Sequence, residues 1–106
     1  AVAGTPVRAA RSGIVVDAGY RDDYGNYVVI RHWLGVRTLY AHMDALRVRD
    51  GQIAWRRRRV GGVGDTGRAT GPHLHFEVQL AGRRLPPGLF LLPDGFRYAL
   101  LSLLPW

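Results

Sequence analysis

The chain has 106 residues, 47% of them apolar, and no cysteine. That is long enough for one packed domain and too apolar for disorder, and it rules out a disulfide framework or a thiolate metal site. Fifteen basic residues, every one an arginine, stand against eight acidic ones, and the formal charge of +7 favours an anionic partner such as nucleic acid, acidic lipid or acidic cell-wall polymer.

In chain order, Gly4-Thr5-Pro6-Val7 reads as a turn entry, and Gly13 opens a short buried strand, Ile14-Val15-Val16. Asp22-Asp23-Tyr24-Gly25-Asn26 has strong turn chemistry, with Asn26 as a turn-former. A strand from Tyr27 to Trp33, the link Leu34-Gly35 and a strand from Val36 to Met43 read as a β-hairpin. Period-two alternation in the second strand puts Thr38, Tyr40 and His42 on one face and Leu39 and Ala41 on the other. His32, on the preceding strand, reads as a surface or supporting residue.

Leu46-Arg47-Val48-Arg49 is a short amphipathic strand turned by Asp50-Gly51, and a second hairpin carries Arg56-Arg57-Arg58-Arg59 at a solvated tip. Asp65 to Pro72 forms an ordered turn, with Asp65 a turn-former, leading into His73-Leu74-His75-Phe76-Glu77-Val78-Gln79-Leu80. On a strand, His73, His75, Glu77 and Gln79 face one way, while Leu74, Phe76, Val78 and Leu80 face a core. Two imidazoles side by side on a rigid strand suit metal binding and proton transfer. The plainer alternative is a solvent face on which two polar positions are histidine. Glu77 either orients an imidazole or pairs with an arginine. Short strands with glycine turns and no convincing helix before residue 90 indicate an all-β, mostly antiparallel domain. Beyond it, Phe96 to Leu104 has the length of a short helix but no polar face. The longest apolar run, near Leu89-Phe90-Leu91-Leu92, is far short of the ~20 residues that cross a bilayer, so no membrane-spanning segment is expected. No signal peptide is visible, which says little about localisation in a chain that does not begin with methionine.

The segments Gly4 to Ala10, Gly13 to Val16, Tyr24-Gly25-Asn26, Thr38 to His42 and, longest, Gly64 to Val78 together resemble the LytM or lysostaphin-type zinc metallopeptidases, which cut peptide bonds in bacterial peptidoglycan. The resemblance covers about residues 3–86. It implies a compact barrel-like or sandwich domain of the duplicated-hybrid-motif type over residues 1–88, with 89–106 as an apolar tail outside it. It also implies that His75 is a zinc ligand and that His42 and His73 are the catalytic pair. Two further Zn2+ ligands, a histidine and an aspartate of an H-x-x-x-D motif, are expected upstream of Ala1. This chain by itself is then expected to be inactive, and the intact domain to hydrolyse peptidoglycan peptides in the cell envelope, periplasmic or secreted. Smaller departures are the arginine run where the family has a turn glycine, and Pro86-Pro87 where it commonly has Asp-Pro.

A second function in keeping with the resemblance is a non-catalytic LytM-type regulator that binds and activates a cell-wall hydrolase; retention of His42, His73 and His75 favours the enzyme. Lipoyl and biotinyl carriers need a lysine, and this chain has none. A phosphohistidine carrier has a different signature around its histidine. Nucleic acid is not an expected partner, because the basic cluster lacks interleaved stacking aromatics.

Overall fold

The computed structural model describes residues 2–68 and 71–85. Its elements are β1 (Pro6–Arg8), β2 (Gly13–Arg21), β3 (Gly25–Arg31), a single 3-10 turn (Trp33–Gly35), β4 (Arg37–Leu46), β5 (Ile53–Ala54), β6 (Arg59–Val63), β7 (His75–Leu80) and β8 (Arg83–Leu85). Every pairing is antiparallel, along the order β1-β6-β4-β3-β2-β5, with β7 on β4 and β8 on β7. This is the all-β antiparallel domain expected. The tail 89–106, including the helix expected at Phe96 to Leu104, lies outside the described residues.

Strand β4 organises the sheet because it has three partners. Its first half pairs with β3 on one edge, Val28 opposite Tyr40, and with β7 on the other, from Arg37 opposite Gln79 to Ala41 opposite His75. Past Ala41, β7 departs, and Met43 and Leu46 pair instead with Val63 and Gly61 of β6. The sheet therefore forks at Ala41–Met43 and curls over itself.

The curl encloses the main core, in which Val15, Val28, Ile30, Tyr40, Met43 and Val60 are almost wholly excluded from solvent. Tyr27, Val29, Leu39 and Ala41 form a second buried cluster on the opposite face of the same strands. Burial on both faces explains why Tyr27 to Ile30 is an unbroken apolar run rather than an alternating one.

Four expectations change. The second hairpin does not form, because β5 pairs with β2 while β6 pairs with β1 and β4, so the arginine run lies in a turn between strands that are not neighbours. Strand β2 extends to Arg21, and only Val15 of the Ile14-Val15-Val16 run is fully buried, because a bulge between Val15 and Asp17 interrupts the alternation. Arg47 to Arg49 leaves the ladder after Leu46 instead of forming a separate strand. Leu74 is exposed, not core-facing, because β7 begins only at His75 and the preceding residues touch the sheet through one bridge, His73 to Gly64.

His32 is buried, not superficial. Its Nδ1 lies 2.9 Å from the Ser12 carbonyl oxygen and its Nε2 lies 2.7 Å from Thr38 Oγ1. Burial pushes its pKa below the ordinary histidine value, with the Arg11 charge acting the same way and the Ser12 hydrogen bond opposing. A neutral ring facing a carbonyl must carry its proton on Nδ1, so Thr38 donates to Nε2. Thr38 Oγ1 is in turn 2.9 Å from the Tyr40 hydroxyl, whose oxygen accepts the Ala10 N–H at 3.0 Å.

Candidate active site

The fork brings His42, His73 and His75 together. His75 is the first residue of β7, opposite Ala41, and His73 sits where the incoming chain bridges Gly64 through its N–H at 3.1 Å. The ring centroids of His42 and His73 are 5.1 Å apart, and those of His42 and His75 are 5.9 Å apart.

His42 does not share the face of Thr38 and Tyr40 as its spacing suggests. Asn26 pairs with Met43 and Val28 with Tyr40, so the single residue Tyr27 faces two, Ala41 and His42. That is a β-bulge, and in it His42 takes φ +61, the left-handed region that is costly for a non-glycine residue. The bulge swings the imidazole from the core face to the face of His75. Strain of this kind persists only where the surroundings over-determine it.

The surroundings here are two glycine-containing segments far apart in sequence. Asn26 Nδ2 donates to the carbonyls of Met43 at 3.1 Å and Asp44 at 3.0 Å, which the bulge takes out of the ladder. Thr66 Oγ1 donates to the same Met43 carbonyl at 2.6 Å and accepts the Asn26 N–H at 3.0 Å. Gly25 and Gly67 both have positive φ, and a Cβ on Gly25 would strike Thr66 while one on Gly67 would strike the backbone of Gly25. The two glycines permit this contact, and together the segments clamp the bulge.

Each imidazole has its proton placed by a partner. His42 Nδ1 is 2.8 Å from the Thr66 carbonyl oxygen and His73 Nδ1 is 2.8 Å from that of Gly71. A carbonyl only accepts, so both rings are protonated at Nδ1 when neutral and present a free Nε2. His75 has the opposite arrangement, with Nε2 2.9 Å from Glu77 Oε2. Burial raises the Glu77 pKa, but the His75 hydrogen bond, the Arg84 charge and the Tyr24 hydrogen bond together outweigh it, holding the carboxyl below its ordinary value. An ionised Glu77 accepts from Nε2–H and leaves Nδ1 of His75 as the lone-pair donor.

Glu77 is buried at 5% exposure and does both things weighed for it: it orients His75 and pairs with Arg84, whose Nε is 2.5 Å from Oε1. The Tyr24 hydroxyl donates to Glu77 Oε2 at 3.2 Å while its ring stacks on His75, centroids 6.1 Å apart.

A histidine whose Nε2–H is held by a carboxylate is well suited to bind a metal through Nδ1, so His75 fits one ligand position of a zinc site. Among the described residues, no group of three or more His, Cys, Asp or Glu side chains is placed to hold an ion. Asn26 is not the simple turn-former expected from sequence, since it lies in β3 and holds the bulge; Asp65 is exposed. Thr66 and Tyr24 were not anticipated. Their only sequence signal is their position beside glycines in Tyr24-Gly25-Asn26 and Asp65-Thr66-Gly67.

The profile of Peptidase family M23 matches residues 1–87, and the chain belongs to that family. It is 45% identical over 80 residues to the peptidoglycan DD-endopeptidase ShyA of Vibrio cholerae, covering 76% of this chain and 19% of that protein. A zinc-containing peptidase from Vibrio cholerae superposes with a TM-score of 0.77 at 39% identity, covering 80% of this chain and 26% of the other. The antimicrobial peptidase lysostaphin from Staphylococcus simulans gives a TM-score of 0.83 at 30% identity, covering 100% of this chain and 47% of the other. The chain spans about a fifth of the length of the curated relatives it matches.

Proposed function

We propose that this domain works in a zinc-dependent peptidase that hydrolyses peptide cross-links of bacterial peptidoglycan outside the cytoplasm. The observation that carries the proposal is the convergence of three imidazoles at the fork with complementary proton placement. Nδ1 of His75 is free to ligate, while Nε2 of His42 and of His73 are free to handle protons. The relatives named for peptidoglycan cleavage and for zinc support the choice of substrate and metal.

His75 would hold the ion together with the histidine and aspartate of an H-x-x-x-D segment from outside this sequence. Zinc bound there would acidify a water and polarise the scissile carbonyl. His42 and His73 do the rest. One imidazole takes a proton from the attacking water at its bare Nε2, and the other, in its doubly protonated form, donates a hydrogen bond from Nε2–H to the oxygen on which charge develops. The Thr66 carbonyl keeps His42 in the required tautomer through the reaction, as the Gly71 carbonyl does His73. A regulator that acts by binding alone would have no use for this proton arrangement.

The test uses the domain extended by the H-x-x-x-D segment, measuring bound zinc and release of cleaved muropeptides. His75→Ala loses the metal. His42→Ala and His73→Ala keep it but lower kcat by about 10²-fold or more, the usual size of a lost general acid–base or oxyanion group. Cleavage at the parental rate by either would sink the assignment.

A further inference from the structure

The end of the sheet opposite the histidines has its own character. Ser12 ties it together: its carbonyl faces His32 Nδ1 at 2.9 Å, and its hydroxyl oxygen accepts the Arg56 N–H at 2.8 Å. This brings the Trp33–Gly35 turn and the turn between β5 and β6 side by side. Ile14, two residues from Ser12, pairs with Ile53.

Eight large apolar side chains are exposed among the described residues, and five of them lie here: Ile14 at 40%, Trp33 at 76%, Leu34 at 57%, Ile53 at 55% and Trp55 at 69%. Arginines surround them. Arg56, Arg57 and Arg58 are exposed in the turn between β5 and β6, and Arg31, paired with Ile14, is exposed as well. Asp50 lies in the turn next to Arg49, and Asp17 sits further along β2, paired with Val29 and bonded to Tyr27 and Arg21. No helix among the described residues is long and apolar enough to cross a membrane.

Protruding indoles and aliphatic side chains ringed by arginines match one environment closely. The headgroup layer of an anionic bilayer takes amphipathic aromatics at its apolar boundary and guanidinium groups at its phosphates. A soluble polyanion would engage the arginines but give no reason for two tryptophans at adjacent turn tips. We propose that this end docks peripherally on an anionic bilayer, with Trp33, Leu34 and Trp55 entering the headgroup region and Arg56 to Arg58 pairing with lipid phosphates. Strand β3 runs from the clamp to this end over seven residues, about 20 Å. Docking therefore holds the histidine cluster that far above the surface.

The experiment uses the full chain with phosphatidylcholine vesicles, with and without phosphatidylglycerol. Co-sedimentation and tryptophan quenching by brominated lipid are the readouts. Binding is expected to anionic vesicles only, to weaken with salt, and to fall by more than about tenfold on joint Arg56→Glu, Arg57→Glu and Arg58→Glu substitution. Joint Trp33→Ser and Trp55→Ser substitution abolishes quenching, which separates these rings from Trp106 in the tail. Should the triple reversal disturb the turn, Arg56→Gln with Arg58→Gln spares the left-handed Arg57 and gives a smaller loss in the same direction. The proposal is overturned by equal binding to neutral vesicles, by undiminished binding of the substituted chains, or by equally tight binding to inorganic polyphosphate without quenching by lipid.

Discussion

The two halves of β4 place a histidine by opposite means. In the first half the alternation is unbroken, and Thr38 and Tyr40 point into the core, where they join His32 in a closed hydrogen-bonded chain. That histidine is buried and kept neutral. In the second half one extra residue breaks the alternation, and His42, also buried, is turned to the opposite face beside His73 and His75. Regular pairing thus makes a structural histidine, whereas a bulge, held by groups from two distant segments, makes one available for chemistry.

The clamp is the place to break this contrast. Gly25→Ala puts a Cβ against Thr66 at a positive φ, and we expect a loss of about 3 kcal/mol or more in urea unfolding. In the domain extended by the H-x-x-x-D segment, release of cleaved muropeptides should fall with it. Asn26→Ala leaves the Asp44 carbonyl without its side-chain donor and the Met43 carbonyl with Thr66 alone, and should cost about 2 kcal/mol. In the extended domain it should lower kcat more than it raises KM, because His42 is misdirected rather than removed; an unchanged kcat would show that the bulge holds without it.

The other half is sharpened by pH. The folded pKa of His32 lies below its unfolded value of about 6.5, so the unfolded chain takes up the proton first as pH falls. The stability from the neutral ring is complete above about pH 6.5 and declines as pH drops from there toward the lowered folded value. His32→Asn should be less stable at neutral pH yet show a flatter change in urea midpoint between about pH 7.5 and 5.5. The smallest effect expected is a gain. Arg57 occupies φ +71 in the turn between β5 and β6, and Arg57→Gly should stabilise the domain by about 1 kcal/mol, read as a rise in Tm.

Much of this was legible in the sequence, for reasons that are local. The β3–β4 hairpin and the β7 face followed from apolar pattern, and the Arg56 to Arg59 run already marked a turn without its usual glycine. The bulge was not legible, since nothing in Thr38-Leu39-Tyr40-Ala41-His42 signals a left-handed residue. Its cause is Thr66 reaching Met43 across 23 positions. Leu74 misled for a similar reason, because the ladder that would have buried it starts one residue later.

The fork also divides the site between segments of unequal permanence. Near Ala41 and His42, β4 lies inside the sheet, flanked by β3 and, on its other side, successively by β7 and β6. Strand β7 is hydrogen-bonded to β4, but on its outer side β8 covers only Val78 to Leu80, leaving the His75 end without a second neighbour among the described residues. Amide protons around His75 should therefore exchange sooner than those of β3 and β4. The spacing between His42 and His75 is therefore set by one strand paired on both edges and by one whose His75 end is paired on a single edge among the described residues.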